Sequence, residues 1–249
     1  MTVSVSSYYF KGVGTVHARV HASPTDPLRP LCNSSELKID INTKTEVIRD
    51  YDSPSGGTAA MSSYIEDANI TLTLHDLNHA NLAMAYWGSS SQVAAGSVTD
   101  EVVTARKGSL VRLARAGASS VVVKSSDGLT TFVAETDYTP TGAGLIIPAT
   151  STIDDNESIK VSYSYGAQVT VEAMTSGAVA LYLLLDGVNS MMDGKPRIVD
   201  LWKVQFEAAK GIDLKGDKPA AIQLTGKLLR DDSQDGAGVS KYFRETIIP

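Results

Sequence analysis

Apolar and polar residues alternate with period two along most of this chain. That pattern restricts the fold to sheets with one face on a core and the other face wet. Val16, Ala18 and Val20 alternate with His17, Arg19 and His21, and Leu37, Ile39 and Ile41 with Glu36, Lys38, Asp40 and Asn42. Ile70, Leu72 and Leu74 alternate with Asn69, Thr71 and Thr73. The pattern returns late, where Val169 and Val171 oppose Gln168, Thr170 and Glu172, and where Ile222, Leu224 and Leu228 oppose Gln223, Thr225 and Lys227. A single segment switches to helical spacing. Leu77, Asn81, Leu82, Met84 and Ala85 predict a short helix over residues 78–87, capped by Asp76 or Asn78 and closed by Gly88 in a left-handed C-terminal cap.

Two stretches interrupt the strands. Residues 43–66 are polar, contain the turn cluster Asp52-Ser53-Pro54-Ser55-Gly56-Gly57, and read as a long loop of functional or mobile character. Residues 89–96 (SSSQVAAG) read as a flexible linker. Short strand-like runs follow at 102–103, 110–113, 120–124, 131–133, 145–147 and 158–165, separated by turn signals such as Asp127-Gly128 and Asp154-Asp155-Asn156. This spacing predicts a small immunoglobulin-like β-sandwich at 98–165, inserted into a discontinuous β domain made of 1–97 and 166–249.

Composition closes off several function classes. With 43% hydrophobic residues, 20% charged residues and a net charge of -6 over 249 residues, the chain has the makings of packed cores and no basic face for gripping nucleic acid. The acids and bases are spread over every third of the sequence. The longest apolar run, 178–185, is far below the ~18 residues that span a bilayer, and residues 1–12 lack the layout of a secretory signal. With one cysteine, Cys32, no intramolecular disulfide forms, which fits assembly in a reducing cytoplasm.

Chemical motifs are scarce. The chain lacks the G-x-S-x-G elbow and the phosphate loop, and Gly12-Val13-Gly14 does not continue to a dinucleotide fingerprint. His75 and His79 straddle a strand end and a helix start, so they do not share a metal-binding face. Residues 231–236 (DDSQDG) resemble the start of a calcium loop, but Tyr242 stands where the closing glutamate is required. The expectation is a non-enzymatic protein without metal or cofactor.

Larger stretches carry a resemblance. Gly187-Val188-Asn189 and Gly194-Lys195-Pro196, followed by VDLWKVQFEAAKGIDL (199–214) and LTGKLLRDDSQDGAGVSKYFR (224–244), resemble the closing third of the tail tube (major tail) proteins of long, non-contractile-tailed bacteriophages. SSELKIDINTKTE (34–46) and ITLTLHDLNHANLAMAYWG (70–88) are similar to that family's sheet, loop and helix order. VVVKSSDG (121–128), TDYTP (136–140) and VSYSYGAQV (161–169) resemble the extra domain that some members carry.

The resemblance implies a tail-tube-type β-sandwich or barrel whose subunits form hexameric rings. The rings stack into a tube, the conduit for DNA ejection into the host. Implied partners are other copies of the chain, tail tip or baseplate and tail terminator proteins, and, in the lumen, a tape measure protein and transiting DNA, without membrane insertion. The implied setting is the virion tail, assembled in the host bacterial cytoplasm, with the inserted domain on the tube exterior. Val47, Arg49, Asp50, Tyr51, Asp52, Met61 and Tyr64 become inter-ring candidates, and Glu36, Lys38, Asp40, Asn42, Gln168, Thr170 and Glu172 become lumen-lining candidates. Two other readings share the β pattern: the tube protein of a contractile tail or type VI-like machine, and a two-domain β-sandwich adhesin.

Overall fold

The computed structural model describes residues 9–248, so part of the N-terminal stretch read for a signal lies outside the described residues. Strand β1 (Gly12–Val20) leads through β2 (Arg29–Pro30) into β3 (Ser34–Arg49), and β4 (Thr58–Leu74) returns antiparallel to β3. Helix α1 (His79–Ala85) and β5 (Ser89–Val93) follow. Then come β6 (Gly96–Thr104), β7 (Ser109–Arg112), β8 (Ser119–Ser125), β9 (Thr139–Pro140), β10 (Gly144–Ile147) and β11 (Ser158–Tyr165). The chain continues through β12 (Gln168–Glu172) to β13 (Ala180–Asn189), β14 (Lys195–Phe206), β15 (Ile222–Leu228) and β16 (Phe243–Ile247). The architecture is mainly β, with several antiparallel sheets.

Two compact units result, residues 1–90 with 171–249, and residues 91–170. The second is wider than the expected 98–165 because strand pairing runs past those limits, with Gly96 opposite Tyr165. Residues 89–93 are not a flexible linker either, since β5 pairs with β12. Serine-rich sequence hides a strand when backbone pairing, with no apolar face, defines it.

In the first unit the strands run β2-β1-β13-β14-β15-β4-β3, with β16 also on β14. Inward residues alternate as the sequence suggested: Val16 and Ala18 on β1, Ile70, Leu72 and Leu74 on β4, and Ile222, Leu224 and Leu228 on β15 are all buried. Each of the Val, Ile and Leu side chains contributes roughly 1.5–3 kcal/mol, and the Ala18 methyl less. The sheet does not close into a barrel. β1 and β3, near its two ends, line an open groove instead of pairing with one another. Gly226 is required by close backbone approach, because a Cβ there would lie 2.3 Å from the Gln205 carbonyl oxygen and 2.8 Å from Phe206 Cα. Gly226→Val is expected to destabilise this unit by about 3 kcal/mol or more, read as a lowered denaturant midpoint.

Helix α1 is capped by Asn78, whose side-chain oxygen accepts from the Ala80 and Asn81 amides at 3.1 and 3.0 Å. Its C-terminus corrects the expected glycine cap. Trp87 takes the left-handed conformation at φ 49°, and the Gly88 amide donates to Ala83 O at 2.8 Å, closing a Schellman-type turn. Gly88 is needed for another reason, since a Cβ there would sit 2.2 Å from Glu172 O.

The expected loop at 43–66 is instead the outer half of a long hairpin. Pairing continues from Ser34↔Leu74 to Arg49↔Thr58, with register shifts at Ser35, Glu66 and Ala59, so only residues 50–57 form a turn. Beyond Glu66, residues 43–49 and 58–65 are exposed on both faces of the ribbon.

The second unit packs sheet β6-β11-β8 and sheet β7-β10-β9 around Val123, Tyr138, Leu145, Ile147, Ile153, Ile159 and Val161. The run at 131–133 is not a ladder strand; Thr131 makes a single bridge to Lys124, and β9 takes the place beside β10. Asp137, 5% exposed, ties this unit together. It accepts from the Val133 amide at 2.8 Å and from the Thr152 amide and hydroxyl at 3.1 and 2.8 Å. The Val133 amide first, then Thr152, hold its carboxyl below the ordinary range. The stabilisation is therefore present above the unfolded carboxylate value and lost as pH falls through the lower folded value. Asp137→Ala leaves three donors unpaired, an expected loss of about 2–3 kcal/mol. Denaturant melts of both proteins between neutral and acid pH check it, with the difference shrinking at the acid end.

Candidate functional site

Three features of the first unit lack an internal structural partner: the polar face of the sheet, the exposed ribbon and a cavity beside α1. On the polar face, strand register aligns Glu36 with Thr73 and Gln223, Lys38 with Thr71 and Thr225, and Asp40 with Asn69 and Lys227. Asn42 lies opposite Asp67. The charges pair along the face. Lys38 Nζ is 2.8 Å from Asp40, Lys227 Nζ is 2.9 Å from Asp67, and Thr73 donates to Glu36 at 3.2 Å. Lys227, then Asn42, holds the Asp67 carboxyl below its ordinary value. The face is therefore hydrophilic and hydroxyl-rich, its strand residues placing three carboxylates against two ammonium groups, with the Glu207 carboxylate accepting from Thr225 beside them.

The structure thus gathers Glu36, Lys38, Asp40 and Asn42 on one surface. Gln168, Thr170 and Glu172 belong to a different strand pair. Those residues lie on β12, which pairs with β5 and shares no ladder with the eight-stranded sheet. The Val169 face is not buried as alternation suggested, since Val169 is 43% exposed and β12 has no core beneath it.

The seven inter-ring candidates sit on the ribbon. Cross-strand partners share a face, so Thr43, Thr45, Val47, Met61, Ser63 and Ile65 form one side without a charge. Lys44, Glu46, Ile48, Ala60, Ser62 and Tyr64 form the other. Met61 is 68% and Val47 56% exposed, and Tyr51 at the turn reaches 85%. Arg49, Asp50 and Asp52 surround that turn. Asp50 Oδ1 accepts from the Asp52 and Ser53 amides at 2.9 and 3.2 Å, which sets the shape of the tip. The apolar side chains are distributed on a ribbon that has no core of its own.

The cavity was not legible as a site. Arg29, which follows Pro27 and Leu28 in a turn-like stretch, donates to Asn81 Oδ1 at 2.8 Å. Asn81 is fully buried and donates in turn to Leu31 O at 3.0 Å and Asp76 O at 2.8 Å, pinning the helix to β2. Burial lowers the Arg29 pKa below its ordinary value.

The other sequence candidates resolve into structure. Asp231 accepts from the Ser233 amide and hydroxyl at 3.1 and 2.8 Å and from Gln234 at 3.2 Å. Burial pushes its carboxyl up, but these donors outweigh burial and lower it. Asp232 pairs with Arg230 and Lys241, so the first two carboxylates of the calcium-like stretch are engaged by neighbouring side chains. His75 contacts Ser35 Oγ at 2.8 Å and His79 contacts Ser90 Oγ at 3.4 Å, on separate neighbours. Among the described residues no three His, Cys, Asp or Glu gather as a metal site. The Cys32 thiol is pushed up by its hydrogen bond with Asp76 and by burial, the opposite of an activated nucleophile. His17 and His21 are half-buried on the sheet's outer face, with His21 Nδ1 3.0 Å from Trp202 O. Among the described residues no helix is long and apolar enough to cross a membrane.

No curated protein matches the chain. The family described as "Protein of unknown function UCP028589" matches residues 7–246. That match covers almost the whole chain and takes in both compact units, and the chain belongs to this family.

Proposed function

We propose that the protein is the structural subunit of a phage tail tube, assembling as stacked hexameric rings that conduct DNA. The observation that carries the reading is a long β-ribbon, exposed on both faces and rich in uncharged side chains, growing from a sheet whose outer face is polar. A ribbon without a core makes sense when a neighbouring subunit supplies one. A polar wall without a basic patch lets a polyanion slide past instead of holding it. The β3 and β16 edges, unpaired among the described residues, offer ladders to adjacent copies. In this reading the second unit is an appended module, and the protein has a scaffolding role instead of an enzymatic one.

Light scattering across a concentration series, with and without a tail-tip seed, tests the reading. The expected result is growth from small species to long particles. A particle that stays strictly monomeric in both arms contradicts it.

A further inference from the structure

The open groove between β1 and β3 has a volume of about 860 Å³. Among the described residues no strand pairs with β1 over residues 12–15 on the groove side, or with the free edge of β3. Leu31 donates to Val16 O at 2.8 Å, and residues 31–33 then cross from β2 to β3, closing one end of the groove and bringing Cys32 into its lining. The floor is apolar. Val16 is buried, and Leu37 and Leu185 are half-buried against the core. Two free backbone edges over an apolar floor suit an inserted strand with one apolar and one polar face.

The same chain contains such a sequence. Thr2-Val3-Ser4-Val5-Ser6-Ser7 alternates valine with hydroxyl residues and holds neither a charge nor a proline. Six extended residues span about 20 Å, against about 17 Å for the Gly12–Val16 edge. The described chain reaches β1 from the opposite side. β1 stands between β13 and the groove, and the fully buried Asn189 at the end of β13 fixes the approach. Its Oδ1 accepts from the Lys11 amide at 3.0 Å, and its Nδ2 donates to the Tyr9 carbonyl at 2.7 Å. The Ser190 amide adds a bond to Lys11 O at 3.0 Å. Entry into the groove of the same chain would need a reversal around β1 within these fixed residues, whereas a second copy enters freely from the open end.

We infer that the β1–β3 groove receives residues 2–7 of a second copy as an added strand, with Val3 and Val5 over Val16, Leu37 and Leu185. The inference rests on the reading that copies associate, and it assigns a contact between copies that is separate from the ribbon.

Cys32, the one cysteine of the chain, is exposed in the groove lining and serves as the reporter. Full-length chain carrying Cys32→Ser with Ser4→Cys or Ser6→Cys is mixed with unaltered chain and oxidised. The expected product is a disulfide-linked heterodimer, formed at least tenfold faster than with a partner chain carrying Cys32→Ser and Leu129→Cys, whose thiol is exposed on the second unit. In sedimentation velocity, Val3→Asp with Val5→Asp is expected to weaken association at least tenfold while the melting midpoint holds. Ser4→Cys or Ser6→Cys in a chain that keeps Cys32 is expected to give linked oligomers. An internal disulfide in a monomer instead places the segment in its own groove and overturns the exchange. Equal crosslinking to positions 32 and 129 in chains that do associate overturns the groove and leaves the tube intact. Wild-type chain that never associates overturns both.

Discussion

Replacing residues 47–62 with a short glycine turn is expected to abolish assembly and to leave the melting midpoint of the chain unchanged. The ribbon beyond Glu66 buries none of its side chains, whereas the core lies inward of Ala68, 8% exposed, and Ile70, 1% exposed. Folding free energy comes from apolar area removed from water, so trimming an already wet ribbon costs the fold little. Assembly is expected to respond differently, because Val47, Ile48, Met61, Tyr64 and Ile65 are large apolar side chains left exposed along the ribbon of a single chain. Thermal melts read the first effect and sedimentation the second. A truncated chain that melts early places the ribbon in the fold, and one that still assembles makes it decoration.

The second large effect concerns passage of DNA. Changing Glu36 and Asp40 to Lys removes two negative charges and adds two positive ones per subunit, on a face where Lys38 and Lys227 are already present. Both residues lie on the sheet face opposite the core, and their partners, Thr73 and Lys38, are on that same surface. Folding and assembly are therefore expected to survive. In a lumen, added lysines bind phosphate and retard ejection, and the delay shrinks as salt shortens the screening length. Ejection rates from particles carrying the double variant, across a salt series, check this. Normal rates from intact tubes remove the β3 face from the lumen.

How much of this was legible in the sequence differs between elements for physical reasons. Val16, Ala18, Ile70, Leu72, Ile222 and Leu224 alternate because each strand has one buried face, and they form the core where the pattern placed them. Asn78 is legible as a cap because a short side-chain oxygen has few other roles before a helical run. Residues 43–66 are not legible as strands because neither ribbon face is buried within one chain, so selection for alternation is absent. Val47 and Ile48 are even adjacent, each facing a different side. Residues 89–93 fail for a related cause, since their pairing with β12 is a matter of backbone alone. The glycine at 88 misled because a close approach to Glu172 O and a left-handed cap both select glycine, and only the structure shows that Trp87 takes the cap. Of the candidate site, the four polar residues of β3 were readable from period two. The cavity was not, because it joins Arg19, Arg29 and Trp87, which are far apart in sequence and follow no motif.

Electron microscopy of the concentrated, seeded protein tests the central claim most directly. The expected image is a hollow tube of stacked six-subunit rings with an open lumen. Solid fibres without a channel, or single particles at every concentration, contradict it.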